Sequence, residues 1–185
     1  MAVAKLKKCK ECGSGYLPTR FAQVVCSPIC GINHSRKLNE KKVAAARKAD
    51  TKERKIALMS RKDWLNIAQK EFNTFIRTRD KGKPCYMCGN AIKGVVHACH
   101  YLNQGSHSFV RFHEDNVFAG CYKCNVELSG NLIEYRKRLL IEIGPERLEW
   151  LEDNGRRVKK WEIEEIKNII EIYKQKTKYI GRGDD

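Results

Sequence analysis

The sequence has far fewer acidic than basic residues, only a modest share of aromatics and no long apolar run. Aromatic residues make up 9% of its 185 residues and charged residues 32%, which argues against one large hydrophobic core. No stretch approaches the roughly 20 consecutive apolar residues that cross a bilayer, so a membrane-spanning helix is not expected. The N-terminal Met1-Ala-Val-Ala-Lys-Leu-Lys-Lys lacks the apolar run of a secretion signal, and a cytoplasmic setting is expected. Asp and Glu number 22 against 37 Lys and Arg, a formal net charge of +15. Such a balance suits a polyanionic partner and favours nucleic acid over membrane, although a solvated basic surface has the same composition.

What the sequence has in excess is cysteine, nine in all. Eight fall into pairs with metal-ligand spacing: Cys9/Cys12, Cys26/Cys30, Cys85/Cys88 and Cys121/Cys124. Cys99 is left over. In a reducing compartment this pattern reads as zinc rather than disulfides. Two four-cysteine zinc sites are expected, and metal binding would then offset the small core. The fold class expected is α+β, small and metal-stabilised.

Four regions follow along the chain. Residues 1–32 read as an N-terminal zinc finger, with Ser27-Pro28 opening a helix at the last two cysteines. Residues 33–62 read as a basic helical linker. From Gly31 to Lys62 eleven Lys/Arg stand against three Asp/Glu, a net +8, with no proline and no glycine after Gly31. Either a solvated helix or a plain linker has that composition. Residues 63–143 are the expected core region: Trp64, Leu65, Ile67, Ala68, Phe72, Phe75 and Ile76 recur at helical spacing up to the break at Lys81-Gly-Lys-Pro84. Residues 144–185 read as C-terminal helices, with Ile163, Ile166, Ile169, Ile170 and Tyr173 on one stripe that suits a core or a dimer contact.

The segment Cys85–Asn125 concentrates the chemistry. Between its cysteine pairs lie His97-Ala-Cys-His100-Tyr, Arg111, Asn116 and, after the last cysteine, Asn125. Phosphodiester hydrolysis needs an activated water and an ion that offsets charge on the phosphate. These residue types supply both needs. Val95–Leu102 is the expected first strand, Asn116–Gly120 its neighbour, and a helix is expected to start near Cys124 and Asn125. His100 is the candidate general base, because an unperturbed imidazole titrates near 6.5. Alternation places His97 on the opposite face of the strand, with Cys99.

This pattern resembles the HNH, or His-Me finger, nucleases. Within them it is similar to the NinG/Rap recombination endonuclease family of lambdoid phages. The matching residues are Cys9-x2-Cys12, Cys26-Ser-Pro-x-Cys30-Gly31, Phe75-Ile-Arg-x-Arg-Asp80, Pro84-Cys-x-x-Cys-Gly89, His100-Tyr101, Arg111-Phe112, Asn116, Cys121-x-x-Cys-Asn125 and Ser129-Gly-Asn-Leu-x-x-Tyr135. The resemblance implies a ββα-metal, HNH-like nuclease core that cuts branched recombination intermediates such as Holliday junctions and D-loops. It implies His100 as base, Asn125 as a ligand of a catalytic Mg2+ or Mn2+, Asn116 as the geometry-holding residue, and zinc on Cys85, Cys88, Cys121 and Cys124. One departure stands out. The family pattern has an Asp three residues before the base, where this chain has His97, and Gly immediately before it, where this chain has Cys99. His97 is the expected second ion ligand, with Glu127 and Asn131 as alternatives, and the softer shell shifts the ion preference toward manganese or nickel.

Branched DNA is the expected partner, gripped by the finger, the basic helix and Arg156–Lys160, with Arg111 neutralising a phosphate or bracing its loop. Symmetric junction resolution needs two cuts, which fits a homodimer. Two other readings fit parts of the pattern: a non-catalytic zinc-dependent nucleic-acid-binding protein, and an HNH nuclease acting on ordinary duplex DNA.

Overall fold

The computed structural model describes residues 5–181; the first four and last four residues lie outside them. The chain forms two compact units, Met1–Met59 and Ser60–Asp185. The described residues form a small α+β fold with two two-stranded antiparallel sheets.

In the first unit β1 (Lys7–Lys8) pairs with β2 (Gly15–Tyr16) around the Cys9–Cys12 turn. The second cysteine pair sits where α1 (Pro28–Ala57) begins. Ser27 caps that helix by accepting the Cys30 N–H at 3.2 Å, and Pro28 occupies the first turn, where its missing N–H costs nothing. Most of the basic stretch is thus helical, within α1. At 1.5 Å per residue α1 is about 45 Å long, and none of its residues is buried. The i,i+4 pairs Arg36–Glu40 and Arg54–Asp50 lie along it.

In the second unit α2 (Arg61–Arg79) starts on a capping box between Ser60 and Asp63. It buries Ala68, Phe72, Phe75 and Ile76 against Ile166, Ile170 and Tyr173 of α5 (Ile163–Ile180). The C-terminal isoleucine stripe is therefore core. Phe72 meets Tyr173 edge-on, with ring centroids 4.7 Å apart. Each such fully buried side chain is worth about 1.5–3 kcal/mol.

Strand β3 (His97–His100) pairs antiparallel with β4 (Val117–Gly120), in unbroken register from His97↔Gly120 to His100↔Val117. Both are shorter than the apolar patterning predicts. Asp80, buried at the end of α2, accepts the Ala119 N–H at 3.1 Å and ties β4 to the helix. Tyr135, on α3 (Leu132–Glu142), donates its hydroxyl to the Cys99 carbonyl at 2.8 Å and accepts the Phe118 N–H at 3.0 Å, stitching the hairpin from its other side. A second core gathers Cys85, Met87, Cys99, Val110, Tyr135 and Leu139 with Leu148 and Leu151 of α4 (Gly144–Gly155).

The helix expected near Cys124 takes another form. A single π-helical turn, Lys123–Glu127, follows the last cysteines, and regular helix resumes only at Leu132. The break is a backbone one: Ser129, Gly130 and Asn131 all have positive φ, of 48°, 93° and 44°.

Candidate functional site

Both four-cysteine groups converge. The Sγ atoms of Cys9, Cys12, Cys26 and Cys30 lie within 4.8 Å of one another, as do those of Cys85, Cys88, Cys121 and Cys124. Cys12–Cys26 and Cys26–Cys30 are each 3.6 Å apart, close to the ~3.8 Å edge of a thiolate tetrahedron around zinc. The same knuckle geometry recurs in each clamp. Cys9 and Cys85 donate their N–H groups to the Ser14 and Asn90 carbonyls at 2.9 and 2.8 Å, and Gly13 and Gly89 donate back to Cys9 and Cys85. Both glycines sit at positive φ, 76° and 73°, which the return of the chain requires.

Backbone donors prepare Cys9 and Cys85 for deprotonation, whereas contact with neighbouring sulfurs, Cys12 first, pushes Cys26 up to about 12 and burial pushes Cys124 up to about 12. N–H donors led by Cys12, with help from Cys26, lower the Cys9 thiol to about 6. Burial pushes Cys85 up, but N–H groups of Cys88 and Cys121 outweigh it and bring the thiol to about 7. The donor set, its spacing and its hydrogen bonds fit zinc in both clamps. Cys99 belongs to neither. It is fully buried in the second core, and burial pushes its thiol up to about 12.

Around the second clamp the polar residues form two groups on opposite faces of β3. On one face His97 Nδ1 lies 3.2 Å from Asn125 Nδ2, and the imidazole meets Tyr122 edge-on at 5.9 Å. The π turn that carries Cys124 carries Asn125 as well, so the clamp positions this amide. Asn131, one of the alternative ligands, instead donates to Cys124 Sγ at 3.7 Å.

On the other face His100 packs against α2, its ring 6.3 Å from Phe72. Burial first, with the Arg111 charge adding to it and the Arg111 and Ala98 backbone opposing it, brings its pKa down to about 4. The ordinary titration near 6.5 that residue type alone predicts does not survive this packing. Gln69 bridges His100 to Arg111. Its Oε1 accepts Arg111 Nε at 2.8 Å, and its Nε2 donates to Asn73 Oδ1 at 2.8 Å while lying 3.4 Å from His100 Nε2. Arginine can only donate, so it fixes which way the Gln69 amide points. The amide then presents N–H to the imidazole, and the His100 lone pair sits on Nε2. The cation sets the amide and the amide sets the tautomer. Sequence reading passes over Gln69, because it lies on the apolar stripe of α2.

Asn116 is fully buried and fastens the loop between these strands. Its Oδ1 accepts the Leu102 N–H at 2.8 Å; its Nδ2 donates to the carbonyls of Leu102 at 2.9 Å and Val110 at 3.2 Å. Of the C-terminal basic run, Arg157 stacks on Phe109 at 4.6 Å and Lys159 on Trp161 at 3.9 Å, while Arg156 and Lys160 are exposed.

The family model described as Bacteriophage Lambda NinG protein matches residues 1–183, nearly the whole chain. The chain belongs to the NinG family. Among its NinG relatives, protein ninG of Escherichia phage lambda is 37% identical over 194 residues, covering 96% of this chain and 95% of the relative. Protein ninG of Salmonella phage P22 is 35% identical with the same coverage, and that of Escherichia phage 933W is 35% identical over 192 residues. No solved structure matches this NinG chain. Among its described residues no helix is long and apolar enough to cross a membrane.

Proposed function

We propose that this NinG-family chain is a metal-dependent endodeoxyribonuclease of HNH type that cuts branched DNA such as Holliday junctions and D-loops. The observation that carries the reading is the His97–Asn125 contact, made at the edge of a zinc-anchored hairpin by two side chains with ion-ligand atoms. In the HNH-like ββα reading β3 and β4 are the two strands, and the π turn with α3 stands in the helical place. Asn125 Oδ1 and an imidazole nitrogen of His97 would hold the catalytic Mg2+ or Mn2+. A divalent ion bound there offsets negative charge on the phosphate.

The remaining work falls to the chain itself. His100 is neutral at pH 7 and takes the proton of the attacking water on Nε2 once the long 3.4 Å contact with Gln69 yields. Its low basicity belongs to the free protein; a phosphodiester arriving nearby raises it by favouring the charged imidazole. Arg111 adds positive charge beside the base, and Asn116 holds the loop between them. A homodimer would give the paired cuts that junction resolution needs. Contacts to phosphate position such an enzyme without reading sequence, which suits recognition of branched shape.

A second reading draws on one specific observation. His100 and the His97–Asn125 pair face opposite sides of β3, as they would in a zinc module that binds DNA without cutting it. Labelled four-way junction, flap and linear duplex, each incubated with the zinc-loaded protein and Mg2+ or Mn2+, separate the possibilities. Cleavage of junction and flap, abolished by His100→Ala with binding intact, is expected. Binding without cleavage in either ion would leave the non-catalytic reading, and equal cutting of linear duplex would remove branch specificity.

A further inference from the structure

We infer that Phe21 is a stacking contact for an unpaired base, placed on the zinc finger to engage DNA where its helix is interrupted. The inference rests on the DNA-binding half of the proposed function and not on cleavage.

Phe21 is fully exposed, although a phenylalanine ring is among the side chains water most disfavours. The turn that carries it is fixed by Gln23. The Thr19 N–H and hydroxyl donate to Gln23 Oε1 at 2.8 and 3.2 Å, and Gln23 Nε2 donates to the Val25 carbonyl at 2.8 Å. The Tyr16 hydroxyl donates to the Gln23 carbonyl at 2.6 Å, and the Gln23 N–H reaches Arg20 at 3.3 Å. Lys10 N–H bonds the Val24 carbonyl at 2.9 Å, which ties the turn to the first cysteine knuckle. Ala22 completes it in the left-handed region, with φ 62°, a conformation that residues with a Cβ avoid. Gln23 thus braces both sides of the turn from which the Phe21 ring is held out in solvent.

Charge selects the partner. From Lys5 to Met59 fourteen Lys/Arg stand against four Asp/Glu, a net +10, which zinc on four thiolates lowers by two to +8. Glu11, the acidic residue of the finger, is itself paired with Lys37 and His34. A ligand with many negative charges and flat aromatic faces answers both features, and nucleic acid has both. In an intact duplex the base faces are stacked on one another. A gap, flap or junction crossover leaves a face open to the ring.

The full-length, zinc-loaded protein is tested for binding, without a catalytic ion, to oligo-dT, a gapped junction and a linear duplex by fluorescence anisotropy. Phe21→Ala should weaken oligo-dT and junction binding by about 5- to 100-fold, the range of one base–aromatic stack, and duplex binding less than twofold. Phe21→Trp should restore the affinity. In the unsubstituted protein, 5-iodouracil at the branch point should photocross-link to residue 21, a readout that does not depend on any variant folding. Equal loss on duplex, no loss on any DNA, or cross-links confined to other residues would overturn the inference. A protein that binds with this pattern but never cuts would leave it standing and remove the nuclease reading.

Discussion

Asn125 Nδ2 lies 3.2 Å from His97 Nδ1, so a residue positioned by the second cysteine clamp touches the first residue of β3. The pair joins a soft nitrogen ligand to a neutral amide oxygen, where a carboxylate would be the harder donor. Cleavage is therefore expected to run faster with Mn2+ than with Mg2+, and His97→Asp should raise the Mg2+ rate relative to the Mn2+ rate by roughly 10-fold. Comparing junction-cleavage rates in the two ions tests this. An unchanged ratio would mean that His97 does not face the ion.

Gln69 should act through its neighbours. Gln69→Leu removes the acceptor of Arg111 Nε and the N–H beside His100 while keeping the volume apolar. Cleavage should fall by roughly 10- to 100-fold, as expected for a misplaced catalytic group, with zinc content unchanged. Gln69→Glu restores the acceptor but sets a carboxylate beside the imidazole, which favours its charged form. Histidine NMR should then place the His100 pKa above its value of about 4. A pKa that stays put would show that residue 69 does not contact the ring.

The His100 shift has a defined sign. Its pKa is lowered from 6.5 to about 4 on folding, chiefly by burial, with Arg111 the charged group beside it. Between those values the unfolded chain binds a proton that the folded chain does not, so stability is lost as pH falls from 6.5 and the loss is complete below about 4. The full difference is at most about 3 kcal/mol. Urea unfolding between pH 7 and pH 5.5, with zinc in the buffer and the bound metal measured at each pH, should show the start of this fall. His100→Gln should flatten it. A slope identical in both proteins would assign the pH dependence to other groups.

Much of this arrangement is legible in the sequence where the determinants are local. Ligand spacing and a following glycine locate both cysteine knuckles, and apolar recurrence finds α2 and the stripe of α5. What is missed depends on partners far along the chain. Gln69 meets His100 and Arg111, 31 and 42 positions later, and nothing near it in sequence announces them. Gly130 and Asn131 are residue types that favour the left-handed backbone found at 129–131, but nothing local announces the π turn that precedes it at Lys123–Glu127. His100 looks like an ordinary histidine until Phe72 is packed against it.

Metal stoichiometry separates Cys99 from the other cysteines. Its Sγ contacts the His97 carbonyl at 3.6 Å and lies outside both four-sulfur groups. Atomic absorption should find two zinc ions per chain, and Cys99→Ser should leave both. Cys124→Ser should lose one. A third metal equivalent that vanishes with Cys99→Ser would make Cys99 a ligand after all.

Asn116 gives the sharpest separation of scaffold from chemistry. Its buried amide satisfies the Leu102 N–H and two carbonyls, of Leu102 and Val110. Asn116→Ala leaves these groups without partners in a site closed to solvent, a loss of about 3 kcal/mol. Asn116→Asp is worse by a different route: a carboxylate can keep the Leu102 N–H but not donate to either carbonyl, and its charge is desolvated. Chemical denaturation should therefore rank the proteins wild type, Ala, Asp in falling stability. The junction-cleavage rate of Asn116→Ala, measured where it remains folded, should fall only as far as the loop loosens, with the pH profile unchanged. A shifted profile at full stability would mean that Asn116 exchanges protons or touches the ion rather than holding the turn.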